Sequence, residues 1–161
     1  MTQLKQTLPD GPVDIIGDVH GEVEALRNLL RRLGCDIEAG TVERPLVFVG
    51  DLVDRGPDSP AVVEIVMKLV DAGVAYCVLG NHELNILLGD RKEGNGWIRG
   101  DASDHHQFVD GDEIREQVFD SVQASPSAAQ RYIAFFKTLP LVLERPDLRV
   151  VHACWHSPAI A

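Results

Sequence analysis

Three short apolar runs, each stopping at a glycine beside a polar residue able to bind metal, constrain this chain more than any other feature. Residues 13–17 give way to Asp18, residues 46–50 to Asp51, and residues 74–79 to Gly80 and Asn81. Apolar runs of this length, bounded by glycine, read as buried strands. Between the first two, Val23, Leu26, Leu29, Leu30 and Leu33 recur at helical spacing and Gly34 follows as a stop. Between the next two, Ser59 reads as an N-cap, Pro60 as the first helical residue, Val62, Val63, Val66, Leu69 and Val70 as the apolar face, and Gly73 as the end.

Strand, helix, strand, helix, strand is the pattern of a parallel sheet with right-handed helical crossovers, so the fold class expected is α/β. The carboxyl ends of parallel strands share one edge, where ligands bind in open sheets. Asp18, Asp51 and Asn81 should therefore converge. A fourth run, residues 148–151, ends at His152.

The remaining segments are less patterned. Residues 90–112, rich in Gly, Asp, His and Arg, read as an exposed loop or lid, and a helix is expected to start near Glu113. Ser125 and Pro126 open another helix through Tyr132, Phe135 and Phe136, which Pro140 ends. No linker divides the chain, and residues 1–161 read as a single domain.

Charge and composition narrow the function. A net charge of −10 argues against a general nucleic-acid binder, which needs surplus Lys and Arg. It leaves phosphate open as a substrate, because bound divalent cations invert the field of an acidic site. No apolar run approaches the roughly 20 residues of a membrane span and no signal peptide is evident, so no membrane association and a cytoplasmic location are expected. Cys35, Cys77 and Cys154 lack paired spacing and read as reduced, buried thiols.

The chemistry follows from the polar residues at the strand ends. If the first strand continues through Asp18 and His20, the two share a face and can hold one cation. Asp51 could bridge a second cation to the first, and Asn81 and His152 complete an oxygen and nitrogen donor set suited to manganese, iron or zinc. Uncatalysed phosphomonoester hydrolysis demands up to about 10²¹-fold acceleration, and metal coordination lowers the pKa of water to roughly 7. Arg55 could fork onto phosphate oxygens, His82 could protonate the leaving oxygen, and Asp54 could orient the His82 imidazole. Glu83 reads as a structural acid in the first turn of a helix. His105, His106 and His156 read as solvated or locally bonded, and Trp97 and Trp155 as core or interface residues, with stacking on a nucleobase as the alternative.

The segments GDVHG (17–21), GDLVDRG (50–56) and GNHE (80–83), taken together and in order, resemble the signature of calcineurin-like metallophosphoesterases. The D-R-G form resembles the phosphoprotein-phosphatase branch, which includes serine/threonine protein phosphatases and symmetrical dinucleoside tetraphosphatases. VVHACW (150–155) resembles that family's later histidine segment. The resemblance implies a four-layer α/β/β/α sandwich, here mainly its amino-terminal βαβαβ half. It implies two divalent cations, manganese first, with iron, zinc or nickel as alternatives. Asp18 and His20 would bind one, Asp51 would bridge, and Asn81 and His152 would bind the other; His82 and Asp54 would be catalytic and Arg55 would bind phosphate. The expected reaction is metal-dependent phosphoester hydrolysis by water held between the cations.

Substrates implied are phosphorylated proteins or small phosphoesters, with dinucleoside polyphosphates as the close rival. Members of the family continue into a Gly-His segment that this sequence lacks, so a truncated chain with an incomplete second metal site is expected, and a noncatalytic metal-binding relative is the second class of reading. A phosphodiesterase or nuclease is the weakest, disfavoured by the D-R-G segment and the acidic surface.

Overall fold

A computed structural model of the chain describes residues 4–101, 104–111 and 113–154, the side chain of Phe108 apart. Its centre is a parallel sheet of β2 (Asp14–Ile16), β3 (Leu46–Phe48) and β4 (Ala75–Cys77), with β3 in the middle. Asp14 pairs with Leu46 and Ile16 with Phe48, while Leu46 pairs with Ala75 and Phe48 with Cys77. The crossovers are α1 (Val23–Arg32) and α2 (Ser59–Asp71). This is the expected βαβαβ unit.

Alternation along β3 explains why all three of its residues are fully buried. Leu46 and Phe48 join the large core with Leu26 and Leu30 of α1 and Val62, Val66 and Leu69 of α2. Val47 points the other way, into a smaller core with Leu8, Val78, Leu143 and Val150. That second core is the seam between the parallel sheet and a second sheet. The second sheet has the order β1 (Lys5–Thr7), β7 (Val142–Arg145), β8 (Leu148–Val151), with β1 parallel and β8 antiparallel to β7. Helices, parallel sheet and second sheet are thus successive layers. The second sheet is better represented than the sequence suggested, through β1 and β7.

Three expectations change. Within residues 90–112, expected as a loop or lid, Asp104–Asp110 form a strand, β5. The segment beginning at Glu113, expected as a helix, is a strand too, β6 (Glu113–Phe119), and the antiparallel pairing of the two makes a hairpin. Ile114 and Val118 lie four apart, a spacing that fits one helical face as well as one strand face. Gly111, at φ +65°, turns the chain between the strands. The cap of α2 also moves by one: Asp58 accepts the Ala61 N–H at 2.9 Å and is the N-cap. The Ser59 hydroxyl, fully buried, instead accepts the Asp54 N–H at 2.9 Å.

The last two helices frame the site. Gly80 caps α3 (Asn81–Leu88), and Gly89 ends it in the left-handed conformation. Ser125 caps α4 (Pro126–Phe136), accepting the Ala128 N–H at 3.2 Å, as the cap signature predicts. Residues 90–101 are less open than a lid: a 3-10 turn at Gly96–Ile98 buries Trp97 against Tyr132 of α4.

Candidate active site

Three loops leave the carboxyl ends of β2, β3 and β4 and meet backbone to backbone, and glycine permits the approach. A Cβ added at Gly56 would fall 2.0 Å from the His20 carbonyl oxygen, and one at Gly80 would fall 2.2 Å from the Asp51 nitrogen. No other residue type fits at either position without moving main chain. The loops are also tied by main-chain bonds, since Val19 and His20 both donate to the Asp51 carbonyl, at 2.9 and 3.0 Å.

His20, Asp51, Asp54 and Arg55 have φ of +47, +49, +74 and +69°, the left-handed region. Each such non-glycine conformation costs on the order of 1–3 kcal/mol, and such residues cluster at functional sites. The extended-strand argument for Asp18 and His20 does not hold: β2 ends at Ile16, and His20 sits in a turn. The two approach anyway, with His20 Nε2 4.0 Å from an Asp18 oxygen.

The centre of the site is one oxygen of Asp51. Oδ1 accepts the His82 backbone N–H at 3.0 Å. Oδ2 faces three imidazoles, with His152 Nε2 at 3.4 Å, His82 Nε2 at 3.9 Å and His20 Nε2 at 4.0 Å. The far nitrogen of each ring is held: His20 Nδ1 by the Val53 carbonyl at 3.1 Å, His152 Nδ1 by the Val49 carbonyl at 2.8 Å, and His82 Nδ1 by Asp54 at 2.7 Å. A carbonyl can only accept, so Nδ1 of His20 and His152 carries hydrogen, and in the neutral ring the Nε2 lone pair turns toward Asp51.

That arrangement suits cations. His152 Nε2 also lies 2.9 Å from Asn81 Oδ1, so acceptors from Asn81, His152 and Asp51 converge, and a positive charge between them relieves the repulsion. Donor atoms of His20, Asp51 and His82 lie within 4.8 Å of one another, as do those of Asp18, Asp51 and His152. Asp51 belongs to both groups. The grouping differs from the sequence expectation, which joined Asp18 to His20 and left His82 outside the donor sets.

His82 is buried, and its imidazole pKa is raised. The hydrogen bond to Asp54 is the main cause, desolvation opposes it, and the charges of Asp54 and Asp51 add to it. The second oxygen of Asp54 accepts the Trp97 indole N–H at 2.7 Å. Asp54 is fully buried, so its carboxylate is satisfied by an imidazole and an indole instead of water.

Sequence reasoning missed the roles of Trp97 and Glu83. The signal for Trp97 was a large aromatic, followed by Ile98, in a segment otherwise made of glycine and polar residues. Glu83 is more than an acid in a first helical turn: fully buried, it accepts the N–H of Asp51 at 2.9 Å, of Leu52 at 2.8 Å and of Gly80 at 3.0 Å. It joins the second and third loops directly. Burial pushes its pKa up to about 7 despite those donors.

Other expectations resolve locally. Cys154 is exposed and Cys35 half-buried, so of the three thiols Cys77 alone is buried as expected. His105 pairs with Glu116 and His106 with Glu93, each at 2.8 Å. Trp155 and His156 lie outside the described residues. No described helix is long and apolar enough to cross a membrane.

The sheet order places the clustered donors and the buried Asp–His pair at one edge, where they could hold cations, and comparison with known proteins places the chain. Residues 11–160 match the calcineurin-like phosphoesterases, and the chain belongs to that family. The asymmetrical bis(5'-nucleosyl)-tetraphosphatase PrpE of Oceanobacillus iheyensis is 51% identical over 74 residues, 44% of this chain and 30% of the relative. A crystal structure described as a candidate diadenosine tetraphosphatase superposes with a TM-score of 0.59 at 28% identity, covering 94% of this chain and 55% of that one. A serine/threonine phosphatase from Saccharomyces cerevisiae shares the fold, with a TM-score of 0.51 at 20% identity over 88% of this chain and 38% of that one. The match thus spans less than a third of the curated relative's length. That relative is of the asymmetrical kind, where the motif resemblance had brought in the symmetrical one.

Proposed function

We propose that this chain carries the dinuclear centre of a phosphohydrolase whose main substrates are dinucleoside polyphosphates. The observation that supports it most is Asp51, whose single carboxylate is shared by two groups of donor atoms. In this reading Asp18, which lies 4.0 Å from His20 as well as in the His152 group, would hold one cation with His20. Asn81 and His152 would hold the other, Asp51 would serve both, and His82, although its Nε2 lies in the His20 group, is left as the acid. Two bound cations supply an acidified water and neutralise charge on the phosphoryl group. Manganese is the first choice for this oxygen and imidazole set, with iron, zinc or nickel as alternatives.

The chain's own residues supply the rest. Arg55, exposed beside His82 at the mouth of the site, holds nonbridging phosphate oxygens through its planar fork. His82 gives the proton on Nε2 to the leaving oxygen, and Asp54, bonded to Nδ1, keeps the ring oriented and its charge favoured. We take residues 1–161 as one domain and the cytoplasm as its location.

The substrate preference rests on the named activity of the 51% identical relative. A second reading, hydrolysis of phosphomonoesters or phosphoproteins, draws on the buried His82–Asp54 pair, because an alkoxide leaving group needs a proton more than a leaving phosphate does. Steady-state turnover of diadenosine tetraphosphate and of a phosphoserine peptide, each with manganese and with Asp51→Asn as control, separates them. A higher kcat/KM for the peptide overturns the preference, and activity undiminished in Asp51→Asn overturns the centre.

A further inference from the structure

A cleft of about 970 Å³ beside His82 is lined by Arg55 and by the start of β5, residues 104–106. Its walls include Arg91, Lys92, Arg99 and His105. We propose that the Arg91–Lys92 end of this cleft is a subsite for the non-reacting phosphates of an extended polyphosphate chain. The proposal rests on the phosphohydrolase reading and narrows its substrate class.

The loop that carries these cations is held in place. Asn95, 1% exposed, accepts the Lys92 N–H at 3.2 Å and donates to the Asp90 carbonyl at 3.0 Å, tying residues 90–92 to the turn at Glu93 and Gly94. Arg99 also donates to the Asn95 side-chain oxygen. The Gly94 carbonyl accepts the Arg55 N–H at 3.3 Å, and a Cβ at Gly94 would fall 2.3 Å from that nitrogen. The basic loop is therefore fixed against the main chain of the arginine proposed to hold the reacting phosphate.

Charge on this wall is slightly positive, and the cations nearest the reacting end are not directly paired. The lining carboxylates are engaged: Glu93 with His106 at 2.8 Å, Asp101 with Arg99 at 3.2 Å, and Asp104 with the Gly96 N–H at 3.1 Å. Among the described residues, Arg55, Arg91 and Lys92 have no carboxylate partner. In a chain of net charge −10, a cleft lined by four cations (Arg55, Arg91, Lys92, Arg99) and three carboxylates (Glu93, Asp101, Asp104) is locally net positive. Arg55, Arg91 and Lys92, which no described carboxylate contacts directly, mark a place for a polyanion. A single phosphate held at Arg55 leaves Arg91 and Lys92 unused. A chain of phosphates running from the reacting group can reach them.

The test compares the full chain with Arg91→Ala/Lys92→Ala, both residues being exposed and outside the proposed machinery. With manganese, KM for diadenosine tetraphosphate should rise about tenfold, the loss of one or two charge-assisted contacts. KM for p-nitrophenyl phosphate and both kcat values should change less than about twofold, since neither variant position faces the reacting phosphorus. Equal KM changes on both substrates, or none on either, overturn the subsite. So does a KM rise confined to an acidic phosphopeptide, which would make the occupant a protein. If the unaltered chain turns over neither substrate, the functional reading fails by itself. Calorimetric binding of tripolyphosphate to the metal-free chain then decides: affinity about tenfold weaker in the double variant supports the subsite, and equal affinity overturns it.

Discussion

The indole N–H of Trp97 donates to one oxygen of Asp54 at 2.7 Å while the other oxygen holds His82 at 2.7 Å, so a residue of the 3-10 turn orients the carboxylate that orients the imidazole. Trp97→Phe keeps the ring packed on Tyr132 but leaves a buried Asp54 oxygen without its donor. A stability loss of about 1–3 kcal/mol is expected by chemical denaturation. Turnover should fall more for phosphomonoesters with poor leaving groups than for p-nitrophenyl phosphate. Equal losses on both would show that Trp97 supports only the fold.

Asp54→Asn tests the electrostatics of the same pair. The Asp54 bond is the main reason the His82 pKa is raised. A group with a raised folded pKa contributes stability that is fully present below its unfolded pKa and lost as pH rises through the folded one. The same protonated imidazole is the form that can donate to a leaving group. Removing the carboxylate should therefore move the alkaline limb of the kcat/KM profile to lower pH, along with that stability window. An unmoved limb would remove His82 from the proton transfer.

Glu83 makes a prediction about folding. Glu83→Ala strips three buried N–H groups of their acceptor and opens a cavity, an expected cost of about 3–5 kcal/mol. Its pKa, up at about 7 against 4.5 for a free glutamate, has a sign that can be checked in chelator-treated protein. The contribution is complete below about pH 4.5 and disappears as pH rises through about 7, a change of about 3 kcal/mol across that window. Glu83→Gln, which does not titrate, should lack that slope in urea melts taken from pH 4.5 to 7.5. A slope shared by both proteins would contradict it.

Much of this was legible in the sequence because the relevant signals are local. The strand, helix and glycine pattern from residue 13 to residue 81 carries its own order, and the three motif segments name the residues that meet at the sheet edge. What was not legible depends on distant partners. Lys5–Thr7 shows no apolar alternation and becomes a strand by pairing with Val142–Arg145. Asp58 and Ser59 are both good caps, and only the approach of the Asp54 N–H decides that Ser59 is used elsewhere. Trp97 and Asp54 lie 43 positions apart, and Glu83 and Asp51 lie 32 apart, so no window of sequence reveals either contact.

The central claim is that Asp51 is shared by two cations, and counting metal tests it most directly. Equilibrium dialysis of the purified chain against manganese, with metal and protein measured on the same sample, should give two ions per chain, and Asp51→Asn should lose both together. One ion per unaltered chain, or a variant that gives up one and keeps the other, would contradict the bridge.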